Sequence, residues 1–368
     1  MKIKTITCHD VYNAGASLQA YALVTYLNKL GHEARIIDYK PEYLSRHYRL
    51  WGGASGKYNK PLLRELYSLI KFPRRLKLKL GKRKKEYDNF TQKHLILTDK
   101  RYNSYEELLD NPPQADVYFA GSDQIWNTLF ENGRDPSFYL QFAPENAVRA
   151  SYAASFATDS IADEYKISVS KWLKELDFIS VREESGVDIV EDMGIYNVVQ
   201  VLDPVFLLSK EDWLNVLKPI DINEPYLLIY DFDINDKLAE FAKKLAKDMN
   251  LKIYSVLDNP NCDRSFSQVG PDGFVTLVKN AEYVISNSFH ATAFSIIFEK
   301  QFFVFDRFEN INKRMHDLLK AFKLESRLVL DDFDSSEINY NEIRNNINKQ
   351  IGYSQKYIDK VLECANND

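Results

Sequence analysis

The chain opens on an apolar stretch over 3–7 that suits a short strand, followed by a polar turn carrying Asn13 and Gly15. Leu18, Ala22, Leu23, Tyr26 and Leu27 then recur at helical spacing, and Gly31 stands where a helix stops. Residues 34–39 return to a strand pattern, so the first forty residues predict a strand–helix–strand unit of the kind that builds parallel sheets. Further strands are predicted over 116–120, 150–154 and 178–181, with helices over 161–176 and 183–193. The pattern relaxes over 202–225, through Asp203-Pro204, a short helix near Trp213 and Lys218-Pro219. A second alternating series follows, with strands over 226–230, 252–256, 283–286 and 302–305 and helices beginning near Asn235, Gly273 and Phe289.

Two such series in 368 residues predict an α/β protein of two Rossmann-like domains facing a cleft. The boundaries are expected at 1–205 and 206–335, and a final helical segment over 336–368 has the length to pack back on the first domain. A basic helical insertion over 61–87 interrupts the first domain: from 71 to 85 nearly every second residue is Lys or Arg, with Leu66, Leu69, Ile70, Phe72, Leu76, Leu78 and Leu80 interleaved. Such a segment either docks on anionic lipid headgroups, giving peripheral contact with the inner face of a membrane, or is the solvated face of an inserted helix.

Composition narrows the function classes. With 45% hydrophobic and 27% charged residues the chain is ordinary for a globular protein, and a net charge of −5 gives no electrostatic reason to bind nucleic acid. Cys8, Cys262 and Cys364 are odd in number and far apart, so neither a disulfide framework nor a zinc site is signalled, and a reducing, cytoplasmic setting is expected. The six histidines share no ligand spacing, and neither a metal nor a cofactor is expected. No run reaches the roughly 18 to 20 apolar residues that span a bilayer.

Candidate chemistry collects where strands end, the edge at which parallel α/β sheets bind ligands. The turn from Asn13 through Gly15 lets backbone approach a ligand and opens a helix whose free N–H groups suit an anion, or is only a tight turn. Ser122, Asp123, Gln124 and Trp126 follow the strand over 117–120 and combine hydrogen-bonding groups with a stacking face for a sugar; otherwise Ser122 or Asp123 caps a helix and Trp126 fills core. Arg182 presents a planar fork for a carboxylate or phosphate, unless it pairs with Glu183 or another nearby acid. Asn287, Ser288 and His290 lie where a strand becomes a helix, and the imidazole suits proton transfer near neutrality, although a lone His is more often structural.

These four blocks in this order resemble the polysaccharide pyruvyltransferases. The matching elements are Asn13/Gly15 with Leu18-Gln19-Ala20, the Gly121 to Asn127 block, Ser180-Val181-Arg182-Glu183 with Ser185 and Gly194, Leu202-Asp203-Pro204, His290, and Asn312-Lys313-Arg314 with Leu318-Leu319. The resemblance implies an architecture similar to two-domain glycosyltransferases of the B type. It also implies transfer of the enolpyruvyl group of phosphoenolpyruvate to a sugar or lipid-linked saccharide as a cyclic ketal. It carries the family's functional Arg onto Arg182, its His onto His290 and its downstream basic residue onto Lys313 or Arg314. Where many members carry Arg-Leu-His, this chain has Ser288-Phe289-His290. The competing functions are a nucleotide-sugar glycosyltransferase of the same architecture and a non-catalytic glycan-binding protein.

Overall fold

The computed structural model describes residues 1–44, 76, 80–308, 312–330 and 336–367. The first part of the basic insertion, 61–75 and 77–79, lies outside the described residues.

The first sheet is built from β1 (Lys2–Ile6), β2 (Glu33–Tyr39), β3 (Leu97–Tyr102), β4 (Val117–Ala120) and β5 (Val148–Ser151). All pairings are parallel, in the order β3-β2-β1-β4-β5. A parallel pair, β6 (Ile179–Val181) and β7 (Val198–Gln200), continues this sheet beyond β5 through bridges from Ala150 to Phe178 and from Ala154 to Val181. The second sheet contains β8 (Tyr226–Tyr230), β9 (Lys252–Ser255), β10 (Arg264–Ser265), β11 (Tyr283–Ser286) and β12 (Gln301–Val304), again parallel, in the order β10-β9-β8-β11-β12. The wholly buried strands β4 and β8 are apolar along their whole length, as a sheet covered on both faces requires.

β3, β7 and the two-residue β10 are absent from the sequence expectations. β3 carries Thr98, Asp99, Lys100 and Arg101 at the open edge of its sheet, where charge discourages pairing with another chain and leaves no apolar period to read. The first helix, Ala14–Lys29, is capped by the Asn13 side chain, and it packs on β2 and on the turn Pro204–Leu207. Trp213 joins the two halves: its ring lies 5.6 Å from Tyr21 of the first and 4.8 Å from Phe294 of the second, and its indole donates to Val205 O. The last helix, Tyr340–Asn367, returns to the first sheet, where Tyr357 donates to Ser151 O and Ser354 accepts from the Leu202 amide.

The described part of the basic segment is the helix Lys82–His94. Arg83 is turned inward, donating to Ser267 O and Tyr12 O, and so ties the two halves together; Lys84 pairs with Asp88. Lys82 and Lys85 remain on the solvent side. No described helix is long and apolar enough to cross a membrane.

Candidate functional site

The carboxyl ends of the two sheets point toward each other, and a cavity of about 160 Å³ lies between them. Asn13 and Gly15 reach it from the end of β1, Asp123 and Gln124 from β4, Tyr230 and Phe232 from β8, Asn287 to His290 from β11, and Arg307 and Arg314 from beyond β12.

His290 sits in the first turn of the helix Phe289–Ile297, which the Ser288 side chain caps by accepting from the Ala291 amide. Its imidazole is fixed from two sides. Nε2 faces the carboxylate of Asp203 at 3.6 Å, while a Cβ built on Gly15 would lie only 2.0 Å from Nδ1. Gly15 is therefore required by close approach, and the imidazole edge bearing Nδ1 is the one turned toward the first domain's wall of the cavity.

Asp203 is fully buried. Its Oδ1 accepts from the Val205 amide, and its Oδ2 lies 3.1 Å from Arg182 Nη2 and faces His290. Burial alone would push this carboxyl up, but Arg182, His290 and the Val205 amide together hold it below the usual carboxylate range. In the sequence it stands in a boundary loop, within the Leu202-Asp203-Pro204 stretch that matches the family, with no role assigned to it. Nothing local reveals that it joins two strand ends to a helix nearly ninety residues downstream.

The structure relocates several expected residues. Arg182 is buried, with a side chain only 2% exposed. Its Nη2 donates to Ser122 Oγ at 2.8 Å and pairs with Asp203, Asp123 lies 3.5 Å away, and its guanidinium stacks 5.1 Å from the Phe289 ring. It lines a smaller cavity of about 50 Å³ with Asp203, Phe289 and Arg314, not the larger one, because Phe289 stands between. The expected partner Glu183 is elsewhere: its Oε1 accepts from Ser155 Oγ and from the Phe156 and Ala157 amides. Ser122 is sealed in, donating to Ala153 O. Trp126 is core and cannot stack on a sugar, since it is fully buried, stacked on Tyr139 with planes 3° apart, and its indole donates to Phe138 O. Lys313 points away toward Asp317 and Glu184.

Arg314 lines both cavities. Burial and the neighbouring Arg182 push its guanidinium below its ordinary value, opposed by Glu183, Asp123 and Asp203. Turned so that its oxygen faces Arg314, the Gln124 amide accepts from both terminal guanidinium nitrogens, at 3.2 and 2.7 Å. Arg307, held to Asp233 at 3.2 Å, adds a second cation to the cavity wall. Asn287 donates to Asp231 and accepts from the Phe232 amide, so it shapes the turn after β8 while lining the cavity. Asp123 holds a φ of 72°, a left-handed conformation that Asp tolerates better than most residues and that aims its carboxylate at both arginines. Among the described residues no group of three His, Cys, Asp or Glu side chains is placed to hold a metal ion.

Two parallel-sheet domains with a polar cavity between their carboxyl ends define the two-domain α/β architecture of B-type glycosyltransferases. A solved UDP-GlcNAc 2-epimerase from Methanocaldococcus jannaschii is similar in fold, with a TM-score of 0.50 at 11% identity, covering 95% of this chain and 93% of that one. The same enzyme in complex with UDP-GlcNAc and UDP matches at a TM-score of 0.46 and 13% identity over 99% of both chains. An E. coli heptosyltransferase with ADP matches at a TM-score of 0.37 and 10% identity over 83% of this chain and 87% of that one. At such identities the likeness concerns the fold alone. No curated protein matches the chain in sequence. The polysaccharide pyruvyl transferase family model matches residues 13–309, and the chain belongs to that transferase family.

Proposed function

We propose that this protein transfers the enolpyruvyl group of phosphoenolpyruvate to two hydroxyls of a saccharide, forming a pyruvate ketal and releasing phosphate. The observation that carries the reading is His290, wedged between Gly15 and the buried Asp203 at the edge of a cavity whose described cations are Arg307 and Arg314. Phosphoenolpyruvate brings a carboxylate and a phosphate, and fixed guanidinium groups meet both with planar, two-pronged bonds. Arg314 and Arg307 take that role in place of Arg182 and Lys313. Arg182 acts behind them as a positioning residue for Asp203 and Phe289.

In this mechanism protonation of the donor methylene carbon makes C2 an oxocarbenium-like electrophile. One sugar hydroxyl attacks C2 and loses its proton; the C2–O bond to phosphate then breaks, and the second hydroxyl closes the ketal as its proton leaves. Of the two hydroxyl protons, one balances that gained by the methyl group and the other departs with phosphate or to solvent. His290 Nδ1 is the group that moves protons, and Asp203 steadies the imidazolium through Nε2.

Phosphate release from phosphoenolpyruvate in the presence of saccharide acceptors tests the reading. Nucleotide release from sugar nucleotides without phosphate release from phosphoenolpyruvate would assign the chain to glycosyl transfer instead. Lys82 and Lys85, exposed on one helix, are proposed to meet an anionic headgroup when the acceptor is lipid-linked. Equal vesicle binding by Lys82→Ala/Lys85→Ala and wild type would remove that contact.

A further inference from the structure

The cavity does not close at Gln124 and Arg307. Both side chains also line an open groove of about 910 Å³, whose other described walls are Asn127, Leu129, Phe130 and residues 158–162. Pockets for drug-sized ligands usually run to ~300–1,000 Å³, so the groove has room for several rings while the 160 Å³ cavity has room for little beyond the reacting groups. One wall is apolar and exposed: Leu129 keeps 70% and Phe130 56% of its surface open to solvent. The other carries Thr158, Asp159 and Ser160.

We propose that this groove binds the acceptor as a saccharide chain, with the ring that receives pyruvate in the cavity and at least two further rings lying along Phe130. The placement of the reacting ring rests on the pyruvyl-transfer reading; the groove's ligand class does not. A sugar ring offers a flat C–H face with hydroxyls around its rim, which is met by an aromatic face beside hydrogen-bonding side chains. Phe130 supplies the face that buried Trp126 cannot.

The platform is held in place before any ligand arrives. The Phe130 amide donates to Asn127 O, its carbonyl accepts from Arg134 Nε, and Asn132 donates to Gln124 O and Ile125 O behind it. Asn127 is held as well, its Oδ1 accepting from the Leu129 amide. Rigid walls lower the ordering cost of binding. Asp159 and Arg307 are the only charged side chains among the described lining residues, which fits an uncharged polyhydroxylated chain better than a nucleic acid.

The test is binding of the full chain, without phosphoenolpyruvate, to an array of mono- to hexasaccharides made of hexoses and N-acetylhexosamines. Trisaccharides and longer chains should bind at least about tenfold more tightly than monosaccharides, and Phe130→Ala should weaken that binding by up to about tenfold. Ser160→Trp, which fills the groove from its opposite wall, should abolish it with circular dichroism unchanged. Absence of saccharide binding, equal affinity for mono- and trisaccharides, or wild-type binding by both variants overturns the proposal. So does capture of a detergent-solubilised polyprenyl phosphate at the groove with no saccharide bound, which would assign it to a lipid tail. Saccharide binding by a protein inert toward phosphoenolpyruvate supports the groove and rejects the donor reading, so the two failures are distinguishable.

Discussion

Glu183 and Asp203 follow the neighbouring strands β6 and β7, both are buried, and both lie in the field of Arg182, yet the fold shifts their carboxyls in opposite directions. Burial pushes Glu183 up, and Arg314, the Ala157 amide, Arg182 and Ser155 only partly offset it. For Asp203 the same burial is overcome, because Arg182 lies 3.1 Å away and His290 faces the same oxygen. Contact with a cation, more than depth, decides which way a buried carboxyl is shifted. Asp203 is therefore the charge that His290 can lean on, and Glu183 is a brace for the loop over 155–157.

The largest expected effect sharpens the Asp203 half. Replacing His290 with Gln, which hydrogen-bonds but does not exchange a proton in this range, should lower kcat by about 10² to 10⁴-fold with folding intact by circular dichroism. Near-normal turnover would reduce His290 to a positioning role.

Asp203→Asn leaves Arg182 buried without its nearest counter-charge and should cost about 3–5 kcal/mol in urea unfolding. The wild-type contribution has a definite sign in pH. A carboxyl depressed in the fold stabilises it above the ordinary unfolded value of about 3.9 and loses that contribution as pH falls through the lower folded value. A stability profile of Asp203→Asn parallel to wild type across that acid window would break the comparison.

Gly15→Ala puts a methyl group where Nδ1 now lies, so the imidazole or the Asn13 turn must shift. Turnover should fall by at least about tenfold, since misplacement near the reacting centre by about 1 Å is costly. Unchanged kcat would show that Nδ1 is not the working nitrogen.

Glu183→Gln should have the smallest effect, within about 1 kcal/mol at neutral pH, because it removes a charge the fold disfavours. A raised carboxyl stabilises most below its unfolded value of about 4.3, and its contribution falls as pH climbs toward the folded value. Loss of that slope in the variant, read from melting temperature against pH, checks it. A large loss at neutral pH would mean that Glu183 is a working anion and not a brace.

Sequence alone determined the parallel α/β plan, most of the strands, and the rule that polar residues after β1, β4 and β11 meet at a cleft. It could do so because a strand's apolar run, a helix's period and a Gly or Asn at a turn are local signals. The same locality pointed to Gly15, Asp123, Gln124 and His290. What it could not separate was a polar or aromatic residue that faces the cavity from one that faces inward a step away. Trp126 and Gln124 sit two residues apart, and only packing against Tyr139 buries the indole while leaving the amide beside Arg314. Arg182 stands at a strand end like the others, but Phe289, more than a hundred residues on, covers it. Asp203 acquires its role from Arg182 and His290 together, and the groove along Phe130 exists because the segment over 158–162 forms its far wall. Charge state, exposure and shared walls depend on contacts between residues distant along the chain, so only the tertiary structure decided them.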